Sequence, residues 1–244
     1  MSEVLVRHEG PVTIISINRP DKLNALSNKV AHKLQEAFAD FDASPQKVSI
    51  LTSEGRAFTS GADISDLPEF WRCVPTLGIT TNKPVIAAVQ GWCVGGGVVM
   101  SAMADLCVCT ENTTFWYPEA TLGLTGGVIC SLAGRIPHKA AMEVMYLARK
   151  TPARRAYEIG LVNEVVPDGE HLQAAMRMAN ELCSLAPLVL GAIKKIVNGN
   201  ILPKGPAEIA AMMTRDMGVI ATSDDFREGQ QAFLEKRRPV FSGR

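Results

Sequence analysis

The stretch that most constrains this chain is Lys83 to Gly97, KPVIAAVQGWCVGGG, read together with Phe58 to Ile64, FTSGADI. The first opens as an apolar, largely β-branched run, Val85-Ile86-Ala87-Ala88-Val89, that suits a buried strand. It breaks at Gly91 and ends in Gly95-Gly96-Gly97, just before a helix-like segment, Val98 to Asp105. Glycines at the mouth of a helix leave backbone N–H groups unpaired and let another group approach them closely. The second stretch is another strand-to-turn corner, carrying Gly61. Two such corners can aim two backbone donors at one oxygen, an oxyanion hole, which suits an enzyme that stabilises an enolate or similar anion. The glycines do not spell the dinucleotide fingerprint G-x-G-x-x-G, and Val98 follows Gly97 where a P-loop needs lysine. On the corner alone, a tight turn with close helix–strand packing is the commoner explanation for such glycines.

Lys and Arg number 25 and Asp and Glu 25, so the formal net charge is zero, and no basic block argues for nucleic acid or a membrane surface. A chain of 244 residues is long enough for a sizeable core. The N-terminal MSEVLVRHEG lacks an apolar signal region, and no apolar run could span a bilayer. The expected compartment is the cytoplasm, or a matrix-like space if a transit peptide was removed. Cys107 and Cys109, two apart, would face one side of a strand, and Cys73, Cys93, Cys130 and Cys183 are isolated. With no C-x-x-C and no Cys/His cluster, free structural thiols and no metal are expected. His8, His32, His138 and His171 are scattered, and no G-x-S-x-G elbow supplies a hydrolase nucleophile.

The punctuation predicts a hairpin from Val4–Val6 and Val12–Asn18, then a helix from Asn28 to Phe41 with Val30, Leu34, Ala37, Phe38 and Phe41 on one stripe, capped by Ser27 or Asn28. Short buried strands are expected at Val48–Leu51, Val85–Val89 and Leu106–Cys109. Beyond Ala186-Pro187 the pattern turns helical, over Leu188–Val197, Pro206–Ile220 and Ser223–Lys236. The last should present Phe226, Gln230, Phe233 and Arg237 on one face, with Asp224 and Asp225 in its first turn.

Several blocks occur in an order that resembles the crotonase superfamily, the enoyl-CoA hydratase/isomerase enzymes. They are Asn18-Arg19-Pro20 with Asn24-Ala25-Leu26, Phe58-Thr59-Ser60-Gly61-Ala62-Asp63, and Lys83-Pro84-Val85-Ile86-Ala87-Ala88-Val89 with Gly91 and the glycine triplet. Phe115, Pro118-Glu119 and Leu122-Gly123 follow, then Ala156-Tyr157 and Gly160-Leu161-Val162-Asn163, and finally Phe233-Leu234-Glu235-Lys236-Arg237-Arg238-Pro239 with Phe241. The resemblance spans nearly the whole chain. It implies an α/β fold in which ββα turns stack into a spiral, residues 1–186, followed by a C-terminal helical region, 187–244, that packs on neighbouring subunits in trimers, often paired into hexamers; the helices could equally cover their own core. It also implies an acyl-CoA substrate, with coenzyme A entering as part of the thioester and no cofactor bound permanently, in fatty-acid or related acyl-CoA metabolism.

By the same resemblance, the oxyanion donors are the N–H groups of Ala62 and Gly96, and Glu119 is the acid/base facing the acyl carbons. Ala25, Ala62 and Ile64 stand where relatives hold adenine through backbone atoms. Lys22 and Lys236 are candidates for the CoA phosphates, Lys236 as a candidate donated by a neighbouring subunit, although a solvated surface lysine is as good a reading of each. Ser60, Asp63, Gly95 and Pro118 complete the implied substrate-binding set.

Three departures from the family pattern matter. Hydratases typically carry a second glutamate three residues after the middle glycine; here that position is Val99. One glutamate and an oxyanion hole suffice for a proton shuttle that converts a 3-enoyl-CoA to a 2-enoyl-CoA, so isomerisation is expected, with hydration or dehydration as the alternative. Between Asp63 and Lys83 only Ile64 to Asn82 remain, interrupted by Pro68, Pro75 and Gly78, so the roof of the acyl pocket is expected to be short or mobile. Thr125-Gly126-Gly127 likewise differs from the usual Pro-Gly-x-Gly-Gly loop. A catalytically inactive CoA-binding scaffold is a further alternative; RNA binding is disfavoured by the lack of a basic stripe with aromatics.

Overall fold

The computed structural model describes residues 2–244. Strands β1 (Val4–Glu9) and β2 (Val12–Ile17) form the expected antiparallel hairpin, turning at Gly10-Pro11 with Glu9 opposite Val12. Helix α1 (Asn28–Ala43) follows, and the Ser27 side chain accepts the Val30 N–H at its N-terminus. Its buried residues, Val30, Ala31, Leu34, Ala37, Phe38 and Phe41, recur at the three-to-four spacing of one helical face.

From here the chain alternates between two sheets. β3 (Val48–Ser53) lies beside β2, and β4 (Ala57–Thr59) opens a second sheet. β5 (Val85–Val89) returns to the first sheet, β6 (Trp92–Val94) to the second, and α2 (Gly96–Met103) completes that turn. β7 (Leu106–Thr110), β8 (Thr114–Trp116) and the single turn α3 (Glu119–Leu122) repeat the pattern. After α4 (His138–Leu147) come β9 (Thr151–Pro152), α5 (Ala153–Glu158), β10 (Glu164–Val166) and α6 (His171–Cys183). The sheets run β1-β2-β3-β5-β7-β10 and β4-β6-β8-β9. Pairings from β2 to β10 and from β4 to β8 are parallel, because each turn of the spiral brings the chain back in the same direction.

Both faces of the larger sheet are covered, which is why β5 reads as an unbroken apolar run. Val85, Ala87 and Val89 face the main core with Cys107 and Cys109, whereas Ile86, Ala88 and Val108 face outward to Ala174, Ala175 and Ala179 of α6. The two cysteines of β7 thus share a face, as their spacing predicts. All six cysteines are free, and burial pushes the Cys73 and Cys93 thiols up to about 12, which makes them inert as nucleophiles.

The C-terminal helices are α7 (Pro187–Ile196), extended by a wider turn over Val197–Ile201, then α8 (Pro206–Ala221) and α9 (Asp224–Leu234). α8 does cover its own chain: its Ala211 is buried, its buried Glu208 carboxylate lies 3.7 Å from the Arg135 guanidinium, and Arg215 donates to the Leu77 carbonyl at 2.7 Å. Asp224 and Asp225 occupy the first turn of α9, and Phe226, Gln230 and Phe233 line one groove with Phe241. Arg237 departs from the expected helical face. Lys236 adopts a left-handed conformation (φ +55°), the helix ends at Leu234, and Arg237 turns back to bind Glu228 at 2.6 and 2.8 Å. No single helix among the described residues is long and apolar enough to cross a membrane.

Candidate active site

The first wall of the site is a polar clamp. The Arg19 side chain donates to the Ala25 carbonyl at 2.6 Å and to Asp63 Oδ2 at 2.9 Å, and its backbone N–H donates to Asn24 Oδ1. Asn24, fully buried and left-handed (φ +56°), donates to the carbonyls of Glu54 and Ala57, both at 2.7 Å. Leu26 then pairs with the 61–63 corner: its N–H donates to the Gly61 carbonyl and its carbonyl accepts the Asp63 N–H, each at 2.8 Å. Ala62 lies between those two bonds, and its own N–H has no protein partner among the described residues. The Ser60 N–H and hydroxyl reach the carbonyls of Leu23 and Lys22, so Lys22, Ala25, Ser60, Ala62 and Asp63 are gathered in one place. Lys22 and Ile64 are solvent-exposed there.

The second wall is the glycine triplet, and each member is small for a different reason. A Cβ on Gly95 would stand 2.8 Å from Glu119 Oε1 and 3.8 Å from the Gly61 Cα. One on Gly96 would stand 2.4 Å from Phe70 Cε2, and one on Gly97 2.4 Å from Thr59 Cγ2. Gly95 is left-handed (φ +55°), its N–H donates to the Trp116 carbonyl at 2.8 Å, and Gly96 begins α2. The Gly96 N–H therefore has no acceptor within the helix and sits at its electropositive end. Val98, Val99 and Met100 on the same helical turn are buried, with Val99 only 3% exposed.

Glu119 completes the constellation. It follows Pro118 as the first residue of α3, a turn closed by the left-handed Gly123. Its Oε1 touches Gly95, while Oε2 is buried without a hydrogen-bond partner. Desolvation pushes this carboxyl from its ordinary 4.5 up to about 7. Buried Phe115, Tyr117 and Pro118 belong to the same segment, and the Tyr117 hydroxyl lies 3.2 Å from Thr125 Oγ1. Asp63 behaves oppositely: hydrogen bonds from Ser65 and from Arg19 hold it down at about 2. With its oxygens so engaged, the Asp63 side chain acts first on its own loop.

The structure thus brings Ala62, Gly95, Gly96, Pro118 and Glu119 around one corner, with Lys22, Ala25, Ser60 and Asp63 along its edge. Lys236 stands exposed beyond α9, and its side chain makes no hydrogen bond among the described residues. Arg19 joins the site beyond the residues expected there, and the Asn-Arg-Pro motif is its signal in the sequence. Phe70 had no signal at all, since only the spiral places residue 70 against residue 96. The roof expected to be short or mobile is short and firmly packed: Phe70–Cys73 forms one tight turn, and Cys73, Val74, Leu77 and Ile79 are buried.

Known proteins share this sequence pattern and fold. Residues 7–244 match the family described as enoyl-CoA hydratase/isomerase. The chain is 34% identical to the carnitinyl-CoA dehydratase of Salmonella typhi, over 263 aligned positions covering 100% of both chains. Among solved structures, enoyl-CoA hydratase from Mycobacterium tuberculosis H37Rv is 33% identical with a TM-score of 0.76, both chains being covered in full (100%). A carnitinyl-CoA dehydratase from Mycobacterium avium 104 is 32% identical with a TM-score of 0.77, again over 100% of each chain.

Proposed function

The chain belongs to the enoyl-CoA hydratase/isomerase family, and we propose that within it this protein moves a proton along the acyl group of an enoyl-CoA, converting a 3-enoyl-CoA to a 2-enoyl-CoA. The observation that carries this reading is a single carboxyl, Glu119, with a buried unpartnered oxygen beside the glycine corner, facing a helical turn on which Val99 offers no second acid. The thioester oxygen accepts the N–H groups of Ala62 and Gly96. As the Glu119 carboxylate removes the α proton, negative charge moves onto that oxygen and the two donors strengthen, an effect for which one donor is worth about 3 kcal/mol in other enzymes. The Glu119 carboxyl, whose proton exchanges with solvent between the two transfers, then protonates the dienolate at the γ carbon, so the double bond moves and the formula of the acyl group is unchanged. A carboxyl poised near 7 can both accept and return a proton.

Coenzyme A enters as part of the substrate. Backbone atoms of Ala25, Ala62 and Ile64 hold its adenine, and Lys22 stands where it can meet a phosphate. Lys236 would do so from a neighbouring subunit. Leu188, Ile193 and Ile196 on α7, Met213 and Met217 on α8, and Phe233 and Leu234 on α9 are exposed, an apolar surface that a trimer of this chain would bury.

A second reading, dehydration of a 3-hydroxyacyl-CoA or its reverse, is favoured by the relatives named carnitinyl-CoA dehydratase. The deciding experiment incubates a 3-enoyl-CoA and a 2-enoyl-CoA with the protein in D₂O, beside Glu119→Gln, and follows products by mass spectrometry and NMR. Double-bond migration with α or γ deuterium, abolished in Glu119→Gln, supports isomerisation. Accumulation of 3-hydroxyacyl-CoA selects the second reading. CoA binding without either reaction, insensitive to Glu119→Gln, leaves a scaffold.

A further inference from the structure

We propose that Phe70 is the wall that limits the acyl chain, making this site selective for short acyl groups; the inference rests on the acyl-CoA reading above. Phe70 Cε2, Cζ and Cδ2 lie 2.4, 2.9 and 3.1 Å from the point a Cβ on Gly96 would occupy, so the ring edge rests on the Cα of an oxyanion glycine. An aromatic ring therefore fills the space beside Gly96, and in this reading an alkyl chain leaving the thioester carbonyl would meet it.

The turn that carries the ring is held from several sides. Arg72, two residues on, donates to Glu69 Oε2 and to Gln35 Oε1 of α1, each at 2.7 Å, and its guanidinium stacks 4.5 Å from the Trp71 ring centroid. The Glu69 N–H donates to Asn28 Oδ1 at 3.0 Å, and the Gly78 N–H donates to the Trp71 carbonyl at 2.9 Å. Gly78 packs so closely that a Cβ there would stand 2.3 Å from the Arg72 carbonyl oxygen. Cys73 is buried directly behind, and its thiol donates to the Phe70 carbonyl. With its backbone tied to α1 in this way, Phe70 is carried on a fixed turn, since moving the turn aside would break several bonds together.

The test uses S-alkyl-CoA thioethers of four, eight and twelve carbons, which bind without reacting, measured by calorimetry on the full chain, Phe70→Ala and Phe70→Leu. The wild type is expected to bind the four-carbon compound more tightly than the longer two. Phe70→Ala should shift the four-to-eight-carbon affinity ratio at least tenfold towards the longer chain, since each methylene newly buried is worth roughly fourfold in affinity. Phe70→Leu, which keeps the turn packed, should shift it in the same direction by less. A wild type without chain-length preference, or a ratio unchanged in both variants, overturns the wall while leaving the CoA site intact. Failure of every thioether to bind overturns the acyl-CoA reading, and the wall with it.

Discussion

Asp63 and Glu119 border the same corner, and their surroundings drive them apart. Asp63 accepts three hydrogen bonds from Ser65 and Arg19 and is held at about 2. Glu119 has a buried oxygen with no partner and is pushed up to about 7. The same contrast divides the whole site. In the clamp of Arg19, Asn24 and Leu26 the polar groups are answered by others; where that clamp meets the glycine triplet, the Ala62 N–H, the Gly96 N–H and Glu119 Oε2 have no protein partner among the described residues. A corner can keep open groups aimed at one point only if its neighbours are tightly tied, so the satisfied wall supports the geometry that the proposed chemistry needs of the open groups.

The contrast is tested most severely at Glu119. Glu119→Gln should lower turnover about 10³-fold, read as the rate of deuterium incorporation, since it removes the proposed proton carrier. Wild-type turnover should also fall as pH drops through 7, where the base becomes protonated. The same substitution should stabilise the fold. A carboxyl that holds its proton up to about 7 when folded but ordinarily releases it at 4.5 makes the folded state progressively less favourable as pH rises between those values. Glu119→Gln should therefore raise the melting temperature at pH 8 and leave it nearly unchanged at pH 4. A variant that melts no higher at pH 8 would remove the case for an unpaired buried acid.

Gly96→Val is expected to cost about 100-fold in turnover, because the added side chain displaces Phe70 and crowds the thioester. It should also cost roughly 1–3 kcal/mol of stability as overpacking, read by urea unfolding. Val99→Glu would add a second acid to the open wall. Detectable 3-hydroxyacyl-CoA from a 2-enoyl-CoA is the expected product, together with a loss of roughly 2–4 kcal/mol for burying a polar group at a site 3% exposed. No gain of hydration would show that the absent second acid is not what separates the two reactions.

On the satisfied wall, Arg19→Met should lower turnover by about tenfold by loosening the Ala62 corner. Asp63, followed by NMR titration, should rise but remain below the ordinary 3.8, because its bonds from Ser65 survive. Farthest from the site, Ser27→Ala should cost about 1 kcal/mol as a lost helix cap and leave turnover unchanged.

Much of the fold was legible because local rules set it. The stripe Val30, Leu34, Phe38, Phe41 marks α1, and the uninterrupted run at Val85–Val89 marks a strand covered on both faces. The end of α9 was placed two residues too far, because the turn there depends on the left-handed Lys236 and on Arg237 binding back to Glu228, neither of which apolar spacing reveals. In the site, Ala62, Gly96 and Glu119 were legible through motifs that glycine and proline punctuate. Phe70 was not, because a phenylalanine between Pro68 and Pro75 carries no periodic signal and faces a residue 26 positions away.

The sequence by itself determined which segments are strands and helices, where the glycine corners lie and that one acidic residue follows Pro118, since these depend on backbone preferences and side-chain alternation within a few residues. Tertiary structure alone decided that Glu119 would be desolvated against Gly95 while Asp63 would be paired, and that Phe70 would rest on Gly96. Those outcomes come from contacts between distant turns of the spiral, where burial and hydrogen-bond partners fix both charge and shape.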